Sequence, residues 1–271
     1  MVVQHNMQAV NTNRMLGQNV KAVAKSTEKL SSGFRVNRAA DDAAGLSISE
    51  KMRNQIRGIN QSVNNAEDGV SLIQTAEGNM NEIHSILQRM GELATKAAND
   101  VNATEDRDAI QAEINELTTE IDSISSKAMF NGTKLLDGNF KDKYLQVGAN
   151  EGEHMKLDIE KMDKDSLLGA DALSMASHDD ASAAMSKISS AIKLVSEARS
   201  DLGAKQNRLE YTINNLENYS ENLTSAESTI RDTDMAATMT DYTKNNILQQ
   251  AAQSMLAQAN QSTQGVLSLL Q

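Results

Sequence analysis

Residues 52–97 read MRNQIRGINQSVNNAEDGVSLIQTAEGNMNEIHSILQRMGELATKA. Apolar side chains recur three and four residues apart at Met52, Ile56, Ile59, Val63, Ala66, Val70 and Ile73. After a slip around Met80 they resume at Ile83, Leu87, Met90, Ala94 and Ala97. That spacing keeps one stripe of a helix apolar and predicts a bundle or coiled-coil seam. As a single helix the run would be about 70 Å long, at about 1.5 Å per residue. No proline breaks it, and the 271-residue chain has none at all, where ordinary usage of roughly 5% would place about 13.

Four further seams flank this one. Upstream, Leu16, Val20, Val23, Thr27 and Leu30 form a first seam, which Val3, Met7 and Val10 extend in a shifted phase and which ends at the glycine cap signal Ser32-Gly33. Downstream, Asn99 to Thr104 reads as a turn, and Glu105 and Asp106 suit the positive start of a third helix. That helix carries Ile110, Ile114, Leu117, Ile121, Ile124 and Ala128 and folds back antiparallel.

The period then drops to two, with turn dipeptides Asn131-Gly132 and Asp137-Gly138. Leu145 and Val147 alternate with polar neighbours, as do Met155, Leu157 and Ile159, which predicts a β-hairpin turning through Gly148 to Gly152. Lys161 to Ser177 is a weakly patterned connection. A fourth seam runs from Met185 through Ile188, Val195, Leu202, Leu209 and Leu223 to Ile230, with Arg199, Gln206, Ser220 and Glu227 at core-type positions. The fifth is Leu248, Ala252, Met255, Ala259, Ser262, Val266 and Leu269.

The expected fold is therefore mainly α, a long antiparallel bundle with one β-hairpin, whose N- and C-terminal helices pair as a coiled coil. Two domains are expected. Residues 1–42 and 233–271 form the coiled coil, and residues 43–232 form the bundle, including a hairpin region at about 131–178.

Composition narrows the function. With no cysteine, disulfides and thiolate sites are excluded. A net charge of −11 argues against nucleic acid, which needs a dense cationic surface. Positive charge gathers only in residues 1–42, where six bases face three acids. No apolar run approaches the roughly 20 residues of a membrane span, and residues 1–10 lack the blocks of a secretory signal. The histidines at 5, 84, 154 and 178 are scattered and no catalytic motif occurs, so neither an enzyme nor a cofactor or metal site is expected. Asp41-Asp42 and Asp179-Asp180 read as helix starts. Residues 245–271 contain no charge at all, which fits a helix buried among other chains better than one in water. Seams of small residues bury little apolar area, so both termini are expected to be marginal alone and to order on assembly.

The stretch Leu30-Ser31-Ser32-Gly33-Phe34-Arg35-Val36-Asn37-Arg38-Ala39-Ala40-Asp41-Asp42-Ala43-Ala44-Gly45-Leu46-Ser47-Ile48 closely resembles the N-terminal signature of bacterial flagellins. Met129-Phe130-Asn131-Gly132-Thr133-Lys134-Leu135-Leu136 resembles that family's entry into its hairpin, and Leu256-Ala257-Gln258-Ala259-Asn260-Gln261 with Val266-Leu267-Ser268-Leu269-Leu270 its C-terminal helix.

The resemblance implies a secreted, extracellular filament subunit, a minimal form without large outer domains, that polymerises with itself. It also implies an export chaperone, a filament cap and hook-associated junction proteins as partners. Leu16, Val20, Val23, Leu30, Leu248, Met255, Val266, Leu267, Leu269 and Leu270 would seal the inner coiled coil, and Arg35, Arg38, Asp41 and Asp42 would brace the joint between domains. Arg89, Leu93 and Glu113 match a patch that contacts axial neighbours and is read by Toll-like receptor five. Val266, Leu267, Leu269 and Leu270 match the segment met by cytosolic inflammasome receptors. A hook–filament junction adaptor shares the terminal design and is the alternative function.

Overall fold

The long seam is one continuous helix. The structure, a computed structural model, describes residues 6–169 and 173–268, with side chains through 262. In chain order its elements are α1 (Met7–Ser32), α2 (Ala43–Ala97), α3 (Thr104–Lys127), β1 (Met129–Phe130), β2 (Thr133–Lys134), β3 (Lys143–Gln146), β4 (His154–Leu157), α4 (Lys164–Leu168), α5 (His178–Arg231) and α6 (Met235–Ser268). They divide into one compact unit of residues 1–56 with 221–271 and another of residues 57–220.

In the second unit α2 buries Leu93 and, along one seam, Ile59, Ser62, Ala66, Gly69, Ile73, Ala76, Met80, Ile83, Leu87, Met90, Ala94 and Ala97. Their spacing alternates three and four without interruption, so the expected slip around Met80 is absent. Val63 and Val70 are only half buried, and the smaller Ser62 and Gly69 occupy the seam instead. At Gly69 the cause is close approach of the hairpin's side chains. A Cβ on Gly69 would stand 2.4 Å from Leu145 Cδ2, and one on Gly58 would stand 2.9 Å from the Ala149 Cβ. The β3–β4 hairpin therefore lies on a groove of small residues that apolarity alone does not reveal.

Against this seam pack Ile110, Ile114 and Ile121 of α3, and Ala181, Ala184, Ile188, Ala191, Val195, Leu202 and Leu209 of α5. Such an all-aliphatic core suits long helices in near-parallel contact. The strands are antiparallel, with Leu145 opposite Met155 in β3–β4 and Phe130 opposite Thr133 in β1–β2. The β1–β2 hairpin was not expected. Its turn is Asn131-Gly132 with φ of 46° and 77°, the paired positive values that suit a two-residue hairpin loop.

The weakly patterned connection is also held in place. Leu167, Leu168, Leu173 and Met175 are buried, and the Gln111 side chain of α3 donates to the Leu173 carbonyl and accepts from the Met175 N–H, both at 2.8 Å. Arg199, at a core-type position, pairs with Glu77 at 3.4 Å.

Candidate functional site

In the first unit α1 and α6 pack along each other antiparallel. Asn6 caps α1 by accepting from the Ala9 N–H at 3.0 Å, and its side-chain amide donates to the Ala259 carbonyl at 3.0 Å. At the other end Gly33, with φ 76°, closes α1, and Phe34 bridges Asp232 just before α6. Both contacts lie in one continuous register.

The seam they share mixes small and polar side chains with a few branched aliphatics. The covered positions are Ala9, Thr12, Leu16, Asn19, Val23, Ser26 and Leu30 on α1, and Thr238, Tyr242, Asn245, Gln249, Ala252, Leu256 and Ala259 on α6. Leu16, Val23 and Leu30 thus lie where the heptads put them. Val20, at 43% exposure, Leu248, at 44%, and Met255, at 58%, do not. They join Met7, Val10, Met15, Met235, Met239 and Ile247 as large apolar side chains open to solvent. Val266 and Leu267 lie beyond the last described side chain, and Leu269 and Leu270 lie outside the described residues.

Arg35, Arg38, Asp41 and Asp42 all serve the link between α1 and α2. Arg38 Nε donates to Glu28 at 2.8 Å, and Lys25 meets Asp41 at 2.8 Å, tying the link back onto α1. One Asp41 oxygen also accepts from the backbone N–H groups of Asn37 and Arg38. These partners, Lys25 foremost, hold its carboxyl down at about 2. Asp42 accepts from the Gly45 N–H at 2.9 Å and so caps the start of α2.

Arg35 bonds the Ile230 carbonyl through its guanidinium, and its N–H reaches the Arg231 carbonyl at 2.6 Å. Arg231 was not singled out in the sequence. Its guanidinium carbon lies 4.6 Å from the Phe34 ring centre, and Nη1 donates to Glu50 at 2.8 Å, which holds the Glu50 carboxyl below its usual range. The clue available was position alone, since Arg231 ends one heptad run and precedes Asp232-Thr233-Asp234.

In the second unit Arg89 Nε and Nη2 both donate to one oxygen of Glu113, at 3.1 and 3.0 Å, while Nη1 reaches Glu92 at 3.1 Å. The Arg89 guanidinium is held further above its usual value, first by Glu113 and then by Glu92. Leu93 is 4% exposed and belongs to the core beneath them. A cleft of about 530 Å³ opens beside β4, but its Lys156 amine bridges Asp142 at 2.7 Å and Asp158 at 3.1 Å. That pairing keeps the amine protonated and unavailable as a nucleophile. Among the described residues no three His, Asp or Glu side chains gather as metal ligands, and no helix is long and apolar enough to cross a membrane. The geometry offers contact surfaces.

A family model of the bacterial flagellin N-terminal helical region matches residues 3–141, and one of the bacterial flagellin C-terminal helical region matches residues 185–270. A flagellin of Halalkalibacterium halodurans is 53% identical over 271 residues, with all of both chains covered. A flagellin of Bacillus subtilis is 47% identical over 311 residues, again covering all of both. The crystal structure of Bacillus cereus flagellin is similar with a TM-score of 0.51 at 30% identity, covering 56% of this chain and 88% of that one.

Proposed function

We propose, from the premise that this chain belongs to the bacterial flagellin family, that it is a structural subunit whose copies polymerise into the extracellular flagellar filament used for motility. The observation that carries this reading is the row of large apolar side chains left open on the paired termini, Val10, Val20, Ile247, Leu248 and Met255 among them. A single chain gains nothing from exposing them, whereas neighbouring copies would bury them. The uncharged run 245–271 supports the same conclusion, because it leaves no charge to be stranded in such an interface. A heterologous contact that does not close into a ring builds a helical fibre.

Polymerisation of the purified chain, followed by electron microscopy, tests the proposal. Long filaments are expected, and removal of residues 1–40 or 245–271 should abolish them. Filaments from a chain trimmed at both ends would sink the reading. Failure of the intact chain to grow long filaments would instead favour the hook–filament junction adaptor.

The finer assignments rest on this one. Residues 1–42 with 233–271 form the inner coiled-coil domain and residues 43–232 the helical bundle domain with its hairpin region. The export chaperone, filament cap and hook-associated junction proteins are partners during export and growth. Val266, Leu267, Leu269 and Leu270 form the segment shared by the chaperone and cytosolic inflammasome receptors. Arg89 and Glu113 serve as an axial contact and as the patch read by Toll-like receptor five, with Leu93 holding the α2 backbone from beneath. Their support is the exposure of the Arg89–Glu113 ion pair on a rigid helix surface. Arg89→Asp should weaken receptor binding at least tenfold while leaving the helical content unchanged.

A further inference from the structure

We propose that Phe34 and Arg231 act as a positioning clamp that fixes the register in which α1 and α6 pair, a task the seam between those helices performs poorly.

A heptad seam specifies register when its side chains differ from one turn to the next, or when a buried polar pair bonds in one alignment only. Here both are met only weakly, by one cross-seam side-chain bond from Asn6 to the Ala259 carbonyl and by a few positions that differ in size. Along α1 the covered positions seven apart are Leu16, Val23 and Leu30, three branched aliphatics preceded by Ala9, and Thr12, Asn19 and Ser26, three polar groups. Along α6 they are Thr238, Asn245, Ala252 and Ala259, small or polar throughout, and Tyr242, Gln249 and Leu256. Sliding one helix by seven residues therefore replaces many side chains with others of similar size. Asn19 and Asn245, the amides best placed to forbid a slip, make no side-chain hydrogen bond among the described residues.

The discriminating contacts lie at the base of the pair. The Arg35 N–H donates to the Arg231 carbonyl, and the Thr233 N–H donates to the Gly33 carbonyl at 3.0 Å, so the two links cross as a one-rung antiparallel bridge. The Phe34 ring lies 4.6 Å from the Arg231 guanidinium carbon. That side chain is only 12% exposed and is anchored by Glu50, with Ser49 at 3.4 Å. Ser49 in turn donates to Glu227 at 3.0 Å and is almost wholly buried. Val36, on the same link, is buried as well. A slip by one heptad would tear Phe34 from Arg231, whereas within the seam it would cost only the Asn6–Ala259 bond and the fit at Ala9 and Tyr242.

The chain has no cysteine, so engineered pairs report register without background. Asn6→Cys with Ala259→Cys reads the observed register. Asn6→Cys with Ala252→Cys, or with Val266→Cys, reads a slip of one heptad in either direction. Each pair is placed in the full chain and oxidised both in solution and after addition to filament seeds of the unmodified protein. With the clamp intact, only the Asn6–Ala259 pair is expected to cross-link. With Phe34→Ala and Arg231→Ala together, a slipped pair should form at a tenth or more of the native yield. Phe34→Tyr, which keeps the ring, should restore the single register. Cross-linking in the observed register alone despite the broken clamp overturns the proposal. So does the absence of every cross-link in the clamp variant, which would make the clamp a requirement for pairing itself. Both outcomes leave the filament reading standing.

Discussion

Asp41 is a surface carboxylate locked into one role by Lys25 and two backbone N–H groups, and these hold its titration at about 2. A carboxyl whose folded value lies below its ordinary one contributes stability above the ordinary value, and loses that contribution as pH falls through the folded value. The Arg38–Asp41 turn should therefore stay intact at pH 4 and loosen between pH 4 and 2. Carboxyl NMR should find the Asp41 midpoint near 2, and Lys25→Ala should move it up toward 3.8. A midpoint that ignores the Lys25 substitution would remove the cause assigned here. The charges of this link were legible in the sequence because Arg35, Arg38, Asp41 and Asp42 stand side by side. Phe34 and Arg231 were not, because their meeting depends on α5 returning to the foot of α1.

Within the elements, heptad reading located α2, α3 and α5 and most of their buried positions, and missed where small residues replace large ones in the α2 seam. Val63 and Val70 looked like the seam because they are apolar, yet Ser62 and Gly69 fill it, and at Gly69 the Leu145 side chain of the hairpin comes too close for a larger residue. On the paired termini Val20, Leu248 and Met255 are likewise passed over, there for their neighbours Asn19, Gln249 and Leu256. Hydrophobicity measures what water rejects, while a close helix contact also selects for small volume. The β1–β2 hairpin escaped notice because two-residue strands are too short to show a period. Gly69→Val should make this steric limit measurable. Its branch would run into Leu145, and overpacking of this kind destabilises by about 1–3 kcal/mol. Thermal unfolding should show the loss, and Leu145→Ala should recover part of it. An unchanged melting temperature for Gly69→Val alone would mean the hairpin does not rest there.

For the molecule as a whole, folding and assembly draw on different side chains. Val20, Leu248 and Met255 are largely open in the single chain, so replacing all three with serine should leave its unfolding free energy within about 0.5 kcal/mol per site. The filament should respond differently. At roughly 1 kcal/mol for each partly exposed side chain that neighbours would cover, the subunit concentration needed for growth should rise about a hundredfold. Sedimentation of polymer across a concentration series reads that shift, and an unmoved threshold would place the contact elsewhere. A polymer held by covered hydrocarbon also inherits water's thermal signature, since release of ordered solvent is entropic near 25 °C. Growth should accordingly be favoured by mild warming and by sulfate, retreat on chilling, and give a negative heat-capacity change in a calorimeter.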